Sequence, residues 1–365
     1  MPVILLIVSI LIFSIVAVKQ DFFNFLKNNY APAQNLTLPG PVPSSSPAIT
    51  LKPLPQSKIL PNGYHTFQTF NNCGPAALSM ALSYYGINVG QQQLGEELRP
   101  YQNSQGDNDD KSVALEEISE ISKDYNLTAY HRPNGNTDII KNFINYDIPI
   151  IARTWTKVNE DIGHYRVIKG YDQGIQSIIQ DDSLQNRNLW YTYRDFNAIW
   201  GKFNFEYLVL VPKDKLGIAK VILGEDANEK IAWQKAADTS KKILSQNPND
   251  ATARFNLSVA LYHTGEFQKS VNEFEKVENR LPFRTLWYQI EPIEAYYKLG
   301  NFNKVFEITD RILNNYNRAF SELYLIRGEI YLKQGNIAAA KSEFQKAVLY
   351  NKNLDSAKEA LNKVD

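Results

Sequence analysis

The chain has 365 residues, enough for two or three domains, and a 44% hydrophobic content that supplies ordinary cores. Lysine plus arginine equals aspartate plus glutamate at 39 each, so no basic excess marks a nucleic-acid-binding protein. The single cysteine, Cys73, excludes an intramolecular disulfide framework and a cysteine-rich zinc site.

Residues 1–20 contain the uncharged apolar run Val3 to Val18, read as a membrane anchor, or as a signal segment. Lys19 and Lys27 follow this run and no lysine or arginine precedes it, which by charge alone favours a cytoplasmic body. A short anchor before a long linker is the layout of exported domains, so the expectation adopted is a membrane-anchored protein with extracytoplasmic domains, or a secreted one. Residues 21–62 are a Pro/Ser-rich linker with Pro39, Pro41, Pro43, Pro47, Pro53 and Pro55, a composition that favours extended conformations.

Residues 63–213 have a mixed pattern. Asn72 is the predicted N-cap of a helix whose apolar stripe Ala77, Leu78, Ala81, Leu82 and Tyr85 ends at Gly86. Further helices are predicted over Ser112 to Lys123 and Thr137 to Asn145. Strands are predicted over Ile148 to Ala152, Tyr165 to Tyr171, Ile175 to Gln180 and Tyr207 to Val211. Helices with a mainly antiparallel sheet make an α+β domain. The acidic turn Gly106 to Asp110 lacks the spaced ligands of a calcium loop, so no metal and no cofactor are expected.

Residues 225–365 change to long amphipathic helices, with Gly265, Gly300 and Gly335 at 35-residue spacing. The unit around Gly335 carries Tyr324, Gly328, Tyr331, Ala340, Phe344 and Ala347 and resembles the tetratricopeptide repeat, a helix-turn-helix of about 34 residues. The unit around Gly265 has Ser258 and Ser270 where glycine and alanine are usual, and the unit around Gly300 has Pro292 in its first helix. Ile231 to Leu244 is predicted as a leading helix and Asp355 to Val364 as a cap. Such an all-α solenoid offers a surface to a protein partner.

The candidate site starts at Cys73, where a helix N-terminus favours a thiolate. Gln68, five residues earlier, is the oxyanion candidate together with the Cys73 N–H. His164 is the candidate base. A three-residue turn at Asp172-Gln173-Gly174 pairs Tyr171 with Ile175 and places His164 opposite Asp182; a two-residue turn places it opposite Ser183. Asp182 is the candidate orienter and Asp181 the reserve. Arg166, two residues from His164, is read as repelling an imidazolium or contacting a substrate carboxylate.

Gln68, Asn72-Cys73-Gly74-Pro75-Ala76-Ala77-Leu78, Gly163-His164-Tyr165 and Asp182 together resemble the bacteriocin-processing, double-glycine leader peptidase group of papain-like cysteine peptidases, in its stand-alone form. The resemblance covers about residues 60 to 213. It implies a papain-like fold with Cys73 as nucleophile, His164 as base, Asp182 as orienter and Gln68 as oxyanion donor. Ser183 stands where a proline is common in that group, which leaves Asp181 and Asp182 both open. The expected activity is peptide-bond hydrolysis through a thioester acyl-enzyme, with the repeats recruiting a protein substrate or partner. The alternatives are a catalytically inactive peptide- or protein-binding module on the cell envelope, and acyl transfer or amidase chemistry by the same residues.

Overall fold

The computed structural model describes residues 49–103, 113–315 and 317–365. The expected anchor, most of the linker and the acidic turn at 106–110 lie outside the described residues. Among the described residues no helix is long and apolar enough to cross a membrane.

The sheet runs in the order β2 (Thr128–Arg132), β7 (Tyr207–Val211), β3 (Ile150–Trp155), β4 (Gly163–Asp172), β5 (Ser177–Asp182), β6 (Leu189–Thr192), with antiparallel pairing throughout. Its central strands are buried on both faces, which is why β7 reads as a continuous apolar run. The period-2 alternation still sorts their side chains. Ile151, Tyr165, Val167, Leu208 and Leu210 pack against α1 (Cys73–Ser83), α2 (Gln91–Leu98) and α3 (Leu115–Ser122). Ile150, Ala152, Ile168, Tyr207 and Val209 pack against α4 (Thr137–Asn145), α5 (Tyr193–Trp200) and α6 (Leu216–Leu223). The helix predicted over Ser112 to Lys123 is the shorter α3, and the one over Thr137 to Asn145 is α4.

The sheet-bearing part is larger than the pattern suggested. Within the expected linker, β1 (Ser57–Ile59) pairs with the far end of β4, and Leu60 is buried in the core. The amide of Leu60 donates to the Lys169 carbonyl at 2.8 Å. At the other end α6, between the two expected domains, joins the same core through Ala219 and Leu223.

The β4–β5 hairpin differs from both registers considered. Asp172 pairs with Ser177, so the loop is four residues long, and its positive φ falls at Gln176 (47°) rather than at Gly174. That pairing, continued without a break, would set Asp182 opposite Val167. A bulge at Lys169 shifts the ladder by one residue and sets Asp182 opposite Arg166 and Asp181 opposite Val167. The bulge therefore decides which acid shares a strand face with Arg166. Gly170 follows it because a Cβ there would lie 2.6 Å from the Lys58 carbonyl of β1.

The helical part comprises α7 (Glu229–Gln246), the pair α8 (Ala251–His263) and α9 (Phe267–Glu275), a short α10 (Thr285–Tyr288), the pair α11 (Glu291–Lys298) and α12 (Phe302–Leu313), the pair α13 (Ser321–Lys333) and α14 (Ile337–Tyr350), and α15 (Asp355–Asn362). Gly265, Gly300 and Gly335 all take positive φ, the conformation that ends the first helix of each pair. Gly328 lets α13 approach α14: a Cβ there would lie 2.4 Å from the Phe344 ring. Ser258 and Ser270 replace that close contact by reciprocal bonds, each hydroxyl donating to the other residue's carbonyl at 2.8 and 2.7 Å. Pro292 sits in the first turn of α11, where its missing N–H costs no helix bond.

Candidate active site

Cys73 is the first residue of α1 and is 7% exposed. Pro75 fits the same first turn, since the amide it lacks would have no partner within the helix. Asn72 does not cap the helix as expected: its side chain donates to Thr69 Oγ1 at 2.8 Å and accepts from Gln102 Nε2 at 3.1 Å. The first amides of α1 are thus not spent on a side-chain cap, and the positive helix end points at the thiol. Gly74 lies tight against Val113 and the Tyr165 ring, which fixes the helix start on the sheet.

His164, at the start of β4, is buried and lies beside Cys73, near enough for each to shift the other's protonation. Its Nε2 lies 2.8 Å from Asp182 Oδ1, which leaves Nδ1 for the sulfur. The same Oδ1 accepts from the amides of Leu184 (2.7 Å) and Gln185 (3.0 Å), a turn that immobilises the carboxylate. Arg166 Nη1 binds Oδ2. Arg166 is itself held by Thr154 Oγ1 at 3.0 Å and the Thr156 carbonyl at 2.6 Å, and is fully buried. This overturns the reading of Arg166 as a substrate contact or a repeller of His164: it is sealed from solvent and spends its charge on Asp182. Asp181 points elsewhere, to Lys169 Nζ (2.7 and 2.8 Å) and the Asn188 amide (2.9 Å). The choice between the two acids therefore falls on Asp182.

The electrostatics follow from these contacts. Burial pushes the Cys73 thiol up, but the hydrogen bond and charge of His164, the charge of Arg99 and the Gly74 amide bring it below its ordinary value. Burial alone lowers His164; bonds to Asp182 and Cys73 outweigh that and raise it. Burial raises Asp182, yet His164, Arg166 and the Gln185 amide hold it well below the carboxylate range. The three shifts together favour a thiolate beside an imidazolium backed by a carboxylate.

Gln68 is tethered rather than loose. Its backbone N–H donates to the Ser183 carbonyl at 2.8 Å, and its side-chain Oε1 accepts from Ser183 Oγ at 2.9 Å. Holding the oxygen orients the amide group as a whole, and it ties Gln68 to the strand end that carries Asp182. Ser183, flagged only as a departure from a family pattern, is the residue that does this. A second tether is His65, whose Nε2 lies 2.9 Å from the Asp182 carbonyl. Sequence spacing carried no signal for either contact, nor for Arg99.

The remaining histidines have structural surroundings. His131 lies between Glu116 and Glu206 at 3.2 and 3.3 Å; burial lowers it, and the two carboxylates lift it to about 10. His263 stacks on Trp233 with ring centroids 3.8 Å apart. Among the described residues no cluster of metal-ligating side chains occurs.

A thiol at a helix start, a histidine on an antiparallel sheet and an acid on the next strand sit together in a peptidase-like α+β fold. Residues 49–208 match the Peptidase_C39 like family and residues 321–354 match the tetratricopeptide repeat; the two matches together are those of a Peptidase_C39-like domain fused to tetratricopeptide repeats. A TPR repeat-containing protein of Methanocaldococcus jannaschii is 25% identical over 245 residues, which is 62% of this chain and 37% of that protein. The chain thus spans little more than a third of that curated relative. Two solved structures are similar at low identity. A C39-like protein from Bacillus anthracis is 17% identical with a TM-score of 0.36, covering 44% of this chain and 99% of that one. The peptidase domain of Streptococcus ComA, a bifunctional ABC transporter, is 19% identical with a TM-score of 0.32, covering 40% and 97%.

Proposed function

We propose that the protein is a cysteine peptidase that hydrolyses peptide bonds in a protein or peptide substrate. The observation that carries this reading is the buried chain Cys73, His164, Asp182, Arg166, in which every member is held by its neighbour. A binding module has no use for a thiol brought below its ordinary pKa. In this reading the Cys73 thiolate attacks the carbonyl carbon, and the oxyanion forms against the Cys73 N–H and the Gln68 amide. His164 then gives its proton to the leaving amine, and the thioester remains. Water deprotonated by His164 releases the acid product and the free thiol. The repeats bring the substrate or a partner to the site, and the run Val3 to Val18 anchors the chain at a membrane with the catalytic part outside the cytoplasm.

The testing experiment uses the uniqueness of Cys73. The full chain is treated with iodoacetamide across pH and the single mass addition is followed. Fast alkylation persisting well below about pH 8.5, and weakened in His164→Ala, supports the peptidase. Alkylation that tracks an ordinary thiol rejects it in favour of the binding module. Peptide-library turnover, abolished in Cys73→Ala, tests hydrolysis itself, and product analysis with an added amine separates hydrolysis from acyl transfer. Protease accessibility of the catalytic part in sealed vesicles tests the anchored topology.

A further inference from the structure

The helical part reaches into the candidate site. Between the repeat pairs α8–α9 and α11–α12, residues 278 to 290 depart from the repeat pattern and include the short helix α10. The Tyr288 ring at its end lies against Gly163, the residue before His164; a Cβ on Gly163 would be 3.1 Å from that ring. The Gly163 amide is near enough to the Tyr288 hydroxyl to favour its ionised form. Tyr288 is fixed from behind, its carbonyl accepting from Arg153 Nη2 and its ring meeting Phe203 edge-on at 6.1 Å. One turn earlier, Arg284 binds Asp161 of the β3–β4 loop through its amide (3.0 Å) and its guanidinium (2.8 Å). A pocket bounded by Trp155, Lys202, Phe203, Leu281, Thr285 and Tyr288 opens alongside.

The other end of the solenoid returns to the half of the domain that carries the cysteine. Asn353 Nδ2 donates to the carbonyls of Glu96 and Glu97 at the end of α2, both at 2.9 Å, and Tyr350 meets Tyr101 edge-on at 5.0 Å. The repeats therefore hold both the histidine-bearing strands and the cysteine-bearing helices.

Resting on the peptidase reading, we propose that the helical part builds one wall of the catalytic cleft, and that Tyr288 is a specificity-determining residue that limits the bulk of what reaches Cys73. A rigid, half-buried, polar-tipped ring beside the residue preceding the base fits this role. Tyr288 carries no proton in the chemistry: burial, together with the nearby Cys73 charge, outweighs the Gly163 amide and pushes its phenol up to about 12. Its contribution is steric, an excluded volume that a broad group must displace.

The experiment compares two alkylating probes of the sole cysteine in the full chain, iodoacetamide as the narrow one and N-(1-pyrenyl)maleimide as the broad one. The ratio of their rates is measured in wild type, Tyr288→Phe, Tyr288→Leu and Tyr288→Ala. The broad-to-narrow ratio is expected to rise about tenfold in Tyr288→Ala, to rise less in Tyr288→Leu and to hold in Tyr288→Phe, which keeps the ring. Cooperative unfolding of each variant is the fold control, and Tyr288→Leu, which retains apolar packing, decides if the alanine variant does not fold. An unchanged ratio in a folded leucine or alanine variant overturns the wall. The peptidase reading fails on a different readout, the pH profile of iodoacetamide alone in wild type, so the two failures are distinguishable.

Discussion

Arg166 stands directly opposite Asp182 on neighbouring strands, and neither side chain reaches solvent. The guanidinium takes one carboxylate oxygen while His164 takes the other. The acid beside His164 is thus itself oriented by a charge one strand pairing away. Arg166→Met leaves the Asp182 carboxylate buried with its fixed counter-charge gone. Breaking a buried pair from one side costs about 3–5 kcal/mol, which urea unfolding of the full chain would read. A loss below about 1 kcal/mol would mean the pair is not the buried unit described.

The opposed shifts of Cys73 and His164 set a pH window. The thiol is lowered, so the thiolate persists as pH falls below the ordinary cysteine value and is lost only at the lowered value. His164 is raised, so its proton is kept above the ordinary histidine value and lost as pH rises through the raised one. Between the two lies the thiolate–imidazolium pair. In linkage terms, the His164 contribution to stability is full below about 6.5 and fades as pH rises through its folded value. The Cys73 contribution is full above about 8.5 and fades as pH falls through its folded value. In His164→Ala the alkylation midpoint is expected to move up to about 8.5 or beyond, since burial then acts on the thiol with less opposition. A midpoint that stays put would show that His164 does not activate Cys73.

The Ser183 hydroxyl holds Gln68 by its amide oxygen. Gln68→Ala is expected to lower kcat by about 100-fold or more, the usual cost of losing an oxyanion donor. Ser183→Ala removes only an orienting bond worth about 0.5–1.5 kcal/mol, so kcat falls by roughly two- to tenfold. The double variant should be no worse than Gln68→Ala alone, because the serine acts through the glutamine. Full additivity in a kinetic double-mutant cycle would assign Ser183 a separate role.

In the repeats, Ser258 and Ser270 are two departures that satisfy one another. Ser270→Ala removes the side-chain donor to the buried Ser258 carbonyl and is expected to cost about 1 kcal/mol. Ser258→Gly with Ser270→Ala restores the usual small pair and should cost less than the sum of the single changes. Thermal unfolding of the four proteins checks the sign of that coupling.

Much of the fold was legible because it is carried by local periodicity. β7 and α4 fall within the predicted bounds, and each repeat glycine has the left-handed conformation its turn requires. The hairpin register was not legible. Its loop is one residue longer than the three-residue turn expected, and the bulge at Lys169 adjoins Gly170, where β1 crosses, a contact between residues far apart in sequence. The expected partner, Asp182, is nevertheless the one beside His164, because loop and bulge together displace the register by two residues and so preserve the face. Arg166 was misread because its exposure depends on Thr154, Thr156 and Tyr191, brought in from other strands. Tyr288 carried no signal at all: a tyrosine between repeats is unremarkable until the solenoid lies against the sheet.

The seam between sheet and repeats is built from charge as well as oil. Arg153 and Glu206 are buried there with Gln289 against them, the Asn204 side chain donates to the Asn256 carbonyl and the Asn256 side chain to the Gly201 carbonyl, and Arg132 is held by the carbonyls of Asp226 and Ala227. A recombination event that joined this sheet to a foreign tail near residue 220 would bare an arginine and a glutamate that were placed for a dry setting. It would also strand the polar edges that now answer one another. Such a chimera keeps a sheet domain shaped around an absent neighbour. The two segments therefore look modular in the sequence yet pack as a single unit, each completing the other's buried polar pairs.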